Sequence, residues 1–244
     1  MSYEPTGPER DVQMRESVAI DGAPVSYVVV LAAVVAGLAF VPLSVVLGAG
    51  TSFPMSQGVY PLVGWILGPV AGAVANGIGA LVGVLIAPHT TFIPAATVFG
   101  AAMGGLAAGV MDIRAPRRRW WLPLALAFTV MYALYAGRAV LMNGVRPFAV
   151  ILGSFINWSA LLLFWLPTRR LAGRWIGDPR PSKVGAGLFL GTWIVAGLVH
   201  LSTAVVVYFI TNWPEGIWLG MAPLAPFEHL IRCAPNPSPQ ANTQ

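Results

Sequence analysis

An all-helical bundle that crosses a lipid bilayer several times is the fold class this sequence predicts, on three observations. Of 244 residues, 57% are hydrophobic and only 9% are charged. A soluble domain carries about 25% charged residues, because its surface must be covered by polar groups. Second, apolar runs of membrane-crossing length follow one another along the chain. Third, the arginines cluster in the gaps between those runs, which is a topology signal.

The runs come in order. A helix needs roughly 17 to 25 apolar residues to cross the hydrocarbon core. Ser26–Leu47 qualifies, as do Pro69–Ala87, Phe92–Met111, Leu122–Met142, Phe148–Leu166 and Val184–Ile210. Breakers separate them: Ala87-Pro88-His89, the arginines from Arg114 to Arg119, Asn143 to Pro147, and the polar stretch Thr168 to Lys183. The stretch Gly58–Gly68 is too short to cross alone. Pro69 has no amide proton to give a continuous helix, so a break is expected at Gly68-Pro69. Ile217–Cys233 is apolar but interrupted by Pro223 and Pro226, and it carries Glu228, His229 and Arg232.

Charge orients the bundle. Arg114, Arg117, Arg118 and Arg119 form one basic loop; Arg169, Arg170, Arg174, Arg180 and Lys183 form another. Two helices separate them, so they share a side, which the positive-inside rule makes cytoplasmic. With Gly58–Gly68 as its own element, four segments precede the first basic loop and the N-terminus is cytoplasmic. Residues 1–25 read as a polar tail without the basic end and apolar run of a signal peptide. Residues 234–244, rich in Pro, Asn and Gln, read as a disordered tail.

Catalytic motifs are absent, so the chain reads as no enzyme, and nothing calls for a cofactor or metal. The one cysteine, Cys233, forms no internal disulfide. No basic face interleaved with aromatics points to nucleic acid. Polar residues inside the spans are the better clue. Arg138 lies one turn before the outer end of its segment, on a face with Tyr135. It either snorkels to headgroups or faces a cavity. Asn76 and Asn157, with Trp158 beside the latter, sit near the middle of their segments. Gln57, Tyr60 and Trp65 border the Gly-Pro break, and irregular backbone at membrane depth persists only where protein buries it or a cavity wets it. Small residues recur at spacing four: Ala32 with Ala36, Gly68 with Gly72, Ala75 with Gly79 and Gly83, Gly100 with Gly104, and Gly105 with Gly109. Such faces let helices approach closely, within the chain or against a partner.

The stretch Tyr60-Pro-Leu-Val-Gly-Trp-Ile-Leu-Gly-Pro-Val-Ala-Gly-Ala-Val-Ala-Asn76, with Phe92-Ile-Pro94, Phe99-Gly-Ala-Ala-Met-Gly104 and Arg146-Pro-Phe148, resembles the substrate-binding (S) components of energy-coupling-factor vitamin transporters. The resemblance runs from about Ser26 to Trp175. It implies a six-helix membrane core over 26–176, with 184–233 as one or two added C-terminal membrane segments. It implies an outer gate at Gly48–Gln57 over a vitamin-like substrate. Gln57, Tyr60, Trp65, Asn76, Tyr135, Arg138, Asn157 and Trp158 are then the candidate substrate residues. Arg138 and Arg146 suit an anionic group, since charge-assisted bonds are strong. Ala32 and Ala36 would face a transmembrane coupling subunit, and separate ATPase subunits would supply energy. The alternative is a non-transport scaffold whose small-residue faces only hold partners.

Overall fold

The structure, a computed structural model, describes residues 19–45, 52–111 and 118–233. Most of the polar tail, residues 48–51 of the Gly48–Gln57 loop, Arg114, Arg117 and the 234–244 tail lie outside the described residues. Residues 19–24, expected in the tail, form a hairpin of β1 (Ala19–Ile20) and β2 (Ala23–Pro24). Its turn residues Asp21 and Gly22 both have positive φ, at 55° and 88°. That pair of conformations matches the twist of a two-residue hairpin loop.

The helix α1 (Val25–Leu38) stops well short of Leu47. At 1.5 Å per residue it covers ~21 Å. Pro42 biases the residue before it toward extended backbone. The chain then forms β3 (Pro42–Val45), paired antiparallel with β4 (Ser52–Pro54). The expected first span is thus a shorter helix followed by a hairpin.

The Gly-Pro break stands where expected. Helix α2 (Ser56–Leu67) ends at Gly68, and α3 (Pro69–Ile86) begins on the proline. Gly68 has φ +83° and ψ −179°, a conformation that L side chains rarely adopt. The chain reverses there. A Cβ placed on Gly72 would lie 2.7 Å from Gly64 Cα. In one continuous helix these residues would be ~12 Å apart.

The small residues then set directions. Gly79 of α3 meets Ala32 and Val35 of α1, and Gly83 meets Ala36 and Ala39, so α1 and α3 run parallel. Helix α4 (Pro94–Met111) runs against α3: Gly105 meets Gly72 and Ala73, and Gly109 meets Gly68 and Pro69. The first four helices therefore alternate, and the start of α1 and the end of α4 lie at one end of the bundle.

Helix α5 (Trp121–Gly137) is prolonged by a π-helical turn, Arg138–Met142. The expected single span Phe148–Leu166 is two helices, α6 (Pro147–Gly153) and α7 (Phe155–Trp165), bent by 70° at Ser154. Ser154 Oγ donates to the Val150 carbonyl at 2.6 Å, the local back-bond that bends helices. Gly153 adds the tertiary cause: it abuts the backbone of Trp218, and no side chain fits between them.

Helix α8 (Thr168–Ile176) lies at the basic end. Arg169, expected in a solvated loop, is buried instead. Its Nη1 donates to the carbonyls of Phe164, Trp165 and Leu166 at 3.1, 2.7 and 2.8 Å. Its guanidinium lies 3.5 Å over the Trp121 ring. A cation there satisfies the open carbonyls and complements the negative end of α7. Helix α9 (Pro181–Thr211) has 31 residues, and α10 (Glu215–Cys233) folds back along it.

Four helices are long and apolar enough to cross a membrane, or five if the bent pair is one span. Val29, Leu85, Leu141 and Phe148 are exposed, Leu141 at 84%. Outward apolar side chains on this scale suit hydrocarbon and not water. The protein is a helical multi-pass membrane protein by this architecture.

Candidate functional site

The candidate residues fall into two groups at different depths. The first lies at the end opposite the arginine-rich loops. Arg138 donates through Nε and Nη2 to Asn212 Oδ1, at 3.2 and 3.0 Å. Asn143 Nδ2 donates to the same oxygen at 3.1 Å and to Tyr208 Oη at 2.6 Å. Asn212 is placed for this by its left-handed conformation, φ 46°, which caps α9. Arg146 forms an ion pair with Glu215. Hydrogen bonds from Arg146 hold the Glu215 carboxyl below the usual carboxylate range.

Beneath these pairs, Tyr135 is fully buried in an aromatic cluster. Its ring centroid is 5.5 Å from Tyr208, 6.3 Å from Trp213 and 4.8 Å from Trp218. Tyr135 Oη and Trp218 Nε1 have no hydrogen-bond partner among the described residues.

The second group is a polar seam through the middle of the bundle, between α2–α3 and α7–α9–α10. Asn76, on α3, donates from Nδ2 to the Tyr60 carbonyl of α2 at 3.1 Å. The Tyr60 hydroxyl sits 3.3 Å from Ser56 Oγ. Tyr60 also packs against Gly104 and so lies at the level of Val199. Trp65 packs on Gly191, about two turns nearer the basic end of α9 than Val199. Asn157 Oδ1 of α7 meets His200 Nδ1 of α9 at 2.8 Å. From α10, His229 is buried with its ring 5.4 Å from Trp193. Arg232 pairs with Glu228 at 3.9 Å, and its charge acts on Tyr60, His200 and His229.

The seam holds unused hydrogen-bonding capacity. Trp65 Nε1, Asn76 Oδ1, Asn157 Nδ2 and His229 Nε2 are buried without a partner among the described residues. Each such group costs about 1–3 kcal/mol, and lipid offers no replacement partner. The arrangement is therefore suited to receiving a polar molecule. Among the described residues, no three of His, Cys, Asp and Glu come together to hold a metal ion.

A hydrogen bond joins Asn76 to Tyr60 and another joins Asn157 to His200, Trp65 packs on Gly191 of α9, and Tyr135 and Arg138 stand apart at the outer end. Gln57 is buried in the first turn of α2. Trp158 is half-buried and donates from Nε1 to the Ile151 carbonyl at 3.1 Å, bridging the bend at Ser154. Ala32 and Ala36, expected on a partner-docking face, are buried against α3 of the same chain. No protein-family model, curated protein or solved structure matches this chain.

Sequence reasoning missed the α10 contribution. Glu228, His229 and Arg232 stand out as polar residues in an apolar stretch that Pro223 and Pro226 interrupt. Their four-residue spacing on a helix face was the available signal.

Proposed function

We propose that this chain is the membrane-embedded substrate-capture subunit of an energy-coupling-factor type importer, specific for a vitamin-like micronutrient. Separate coupling and ATPase subunits would supply the energy. One observation carries the reading: a seam of buried, unpartnered polar atoms in a bundle otherwise packed with alanine, glycine and aromatic residues. Polar groups at membrane depth mark substrate paths in transporters. The short α2, reversed at Gly68, borders that seam. The alternation of α1–α4, read with the arginine-rich loops, supports a cytoplasmic N-terminus in the cell membrane.

The scaffold alternative needs small-residue faces for partners. Those of α1, α3 and α4 are occupied by one another, so a coupling subunit, too, would dock on a face other than that of Ala32 and Ala36. Native mass spectrometry of the full chain, released gently from detergent, tests the reading. A retained small molecule of vitamin-like mass is expected. A clean protein mass that persists after incubation with a panel of vitamins would overturn it.

A further inference from the structure

We propose that the junction of Asn157, His200 and His229 is the substrate site, and that its substrate is a small uncharged nitrogen heterocycle. This rests on the capture reading and gives it a place and a chemistry. The three side chains come from α7, α9 and α10.

The hydrogen-bonding pattern defines what fits. Asn157 Oδ1 is engaged by His200 Nδ1 at 2.8 Å. An amide oxygen only accepts, so His200 carries its proton on Nδ1. That leaves the Asn157 amide as a donor with nothing to donate to. His229 Nε2 is likewise unpartnered, and His229 is 1% exposed. Helix α10, which carries His229, packs on both α9 and α7. A ring nitrogen or exocyclic carbonyl can accept from Asn157 while a second polar atom of the same ring meets His229.

The surroundings favour a flat ring. Trp193 stands edge-on to His229, with planes at 81°, and Phe155 stands at 71° to Trp193. Aromatic residues around a few fixed polar groups are the common form of a small-molecule site.

The charge balance favours a neutral one. Arg232 is already matched by Glu228. A further net charge in this low-dielectric position would lack a counterion. The outer arginines that would suit an anion are engaged: Arg138 by Asn212, and Arg146 by Glu215. Access is built into α10. Pro223 and Pro226 withhold the amide donors that the Leu219 and Ala222 carbonyls would use, so the half of the helix bearing His229 is joined by a weakened segment.

The test uses the full chain in lipid nanodiscs. The probes are nicotinamide, cytosine and uracil, with nicotinate and orotate as charged counterparts. Binding is read by tryptophan fluorescence and by the thermal shift. At least one uncharged probe is expected to bind, with its charged counterparts weaker. Asn157→Leu and His229→Phe should each weaken that binding about tenfold or more, the effect of one lost buried hydrogen bond. His229→Phe leaves the Asn157–His200 bond intact, so it guards against a folding defect in the first variant. If no uncharged probe binds, or if both variants bind as the wild type does, the proposal is overturned. A small molecule retained equally by wild type and both variants in the mass spectrum would overturn this site while leaving capture standing. No retained mass in the wild type would remove capture itself.

Discussion

The two halves of this bundle hold together by different mixtures of contact. From α1 to α4, helices meet backbone to backbone across glycine and alanine. Gly64 meets Gly105 and Ala108, Gly72 meets Gly64, and Gly79 meets Ala32. From α5 to α10 large and polar side chains are added to glycine contacts such as Gly153 on Trp218 and Gly197 on Ala160. Phe128 stands edge-on to Phe164, Trp121 to Trp165, and Tyr135 to Tyr208. The first half has close contact and few polar atoms; the second carries the buried hydrogen-bonding groups and most of the aromatic rings. The difference teaches a division of labour. A close-packed four-helix frame provides one wall, and a looser, side-chain-packed half provides the chemistry. Tyr60 and Asn76 are where the frame touches the seam.

The largest effect should follow from breaking the frame. A Cβ at Gly105 would lie 2.5 Å from the backbone of Gly72 and Ala73, which cannot yield as a flexible side chain would. Gly105→Val is expected to destabilise by about 3 kcal/mol, at the upper end for overpacking. At Gly77 the added atom would sit 3.7 Å from Ala102 Cβ, an ordinary contact. Gly77→Ala should therefore leave thermal unfolding in nanodiscs nearly unchanged. Equal effects at both positions would contradict backbone contact as the glue of this half.

In the second half a substitution should act in the opposite direction. Tyr135→Phe removes a buried hydroxyl that has no partner among the described residues. Stability should hold or rise by up to about 1 kcal/mol, because a desolvated polar group is removed. A loss of that size in the unfolding midpoint would mean that the hydroxyl is engaged.

The smallest effect belongs to the outer turn. Arg146 holds the Glu215 carboxyl below its ordinary range. The pair's contribution is therefore complete above the unfolded value of about 4.3 and is lost as pH falls through the lowered folded value. Hydrogen exchange across residues 212–218 should quicken on acidification through that window. Glu215→Gln should show a flat profile there. Both groups are exposed, so the global midpoint should barely move.

What could be read from sequence follows the same divide. Gly68-Pro69 is a local signal: a positive-φ glycine followed by a residue without an amide proton breaks a helix wherever it stands. The spaced glycines of α3 and α4 were equally plain, because the spacing itself makes the packing face. The end of α1 was misjudged, since Ser26–Leu47 is apolar throughout and only Pro42 warned of the hairpin. The bend at Ser154 depends on Gly153 meeting Trp218, a contact some 65 residues distant in the chain. Arg169 looked like one more basic-loop residue until the end of α7 was placed beside it. Asn76 and Asn157 read as polar residues at mid-span, but periodicity does not show that Tyr60 of α2 and His200 of α9 take them. Arg138 and Tyr135 share a helix with nothing in the seam, and periodicity alone could not show that Asn212 and the tryptophans would claim them.

The central claim is that the seam is polar in order to bind and not in order to fold. His229→Phe decides it when stability and small-molecule retention are measured on the same nanodisc sample. The account predicts an unfolding midpoint equal to or above that of the wild type, with retention lost. A marked fall in the midpoint with retention unchanged would make His229 a structural residue and contradict the account.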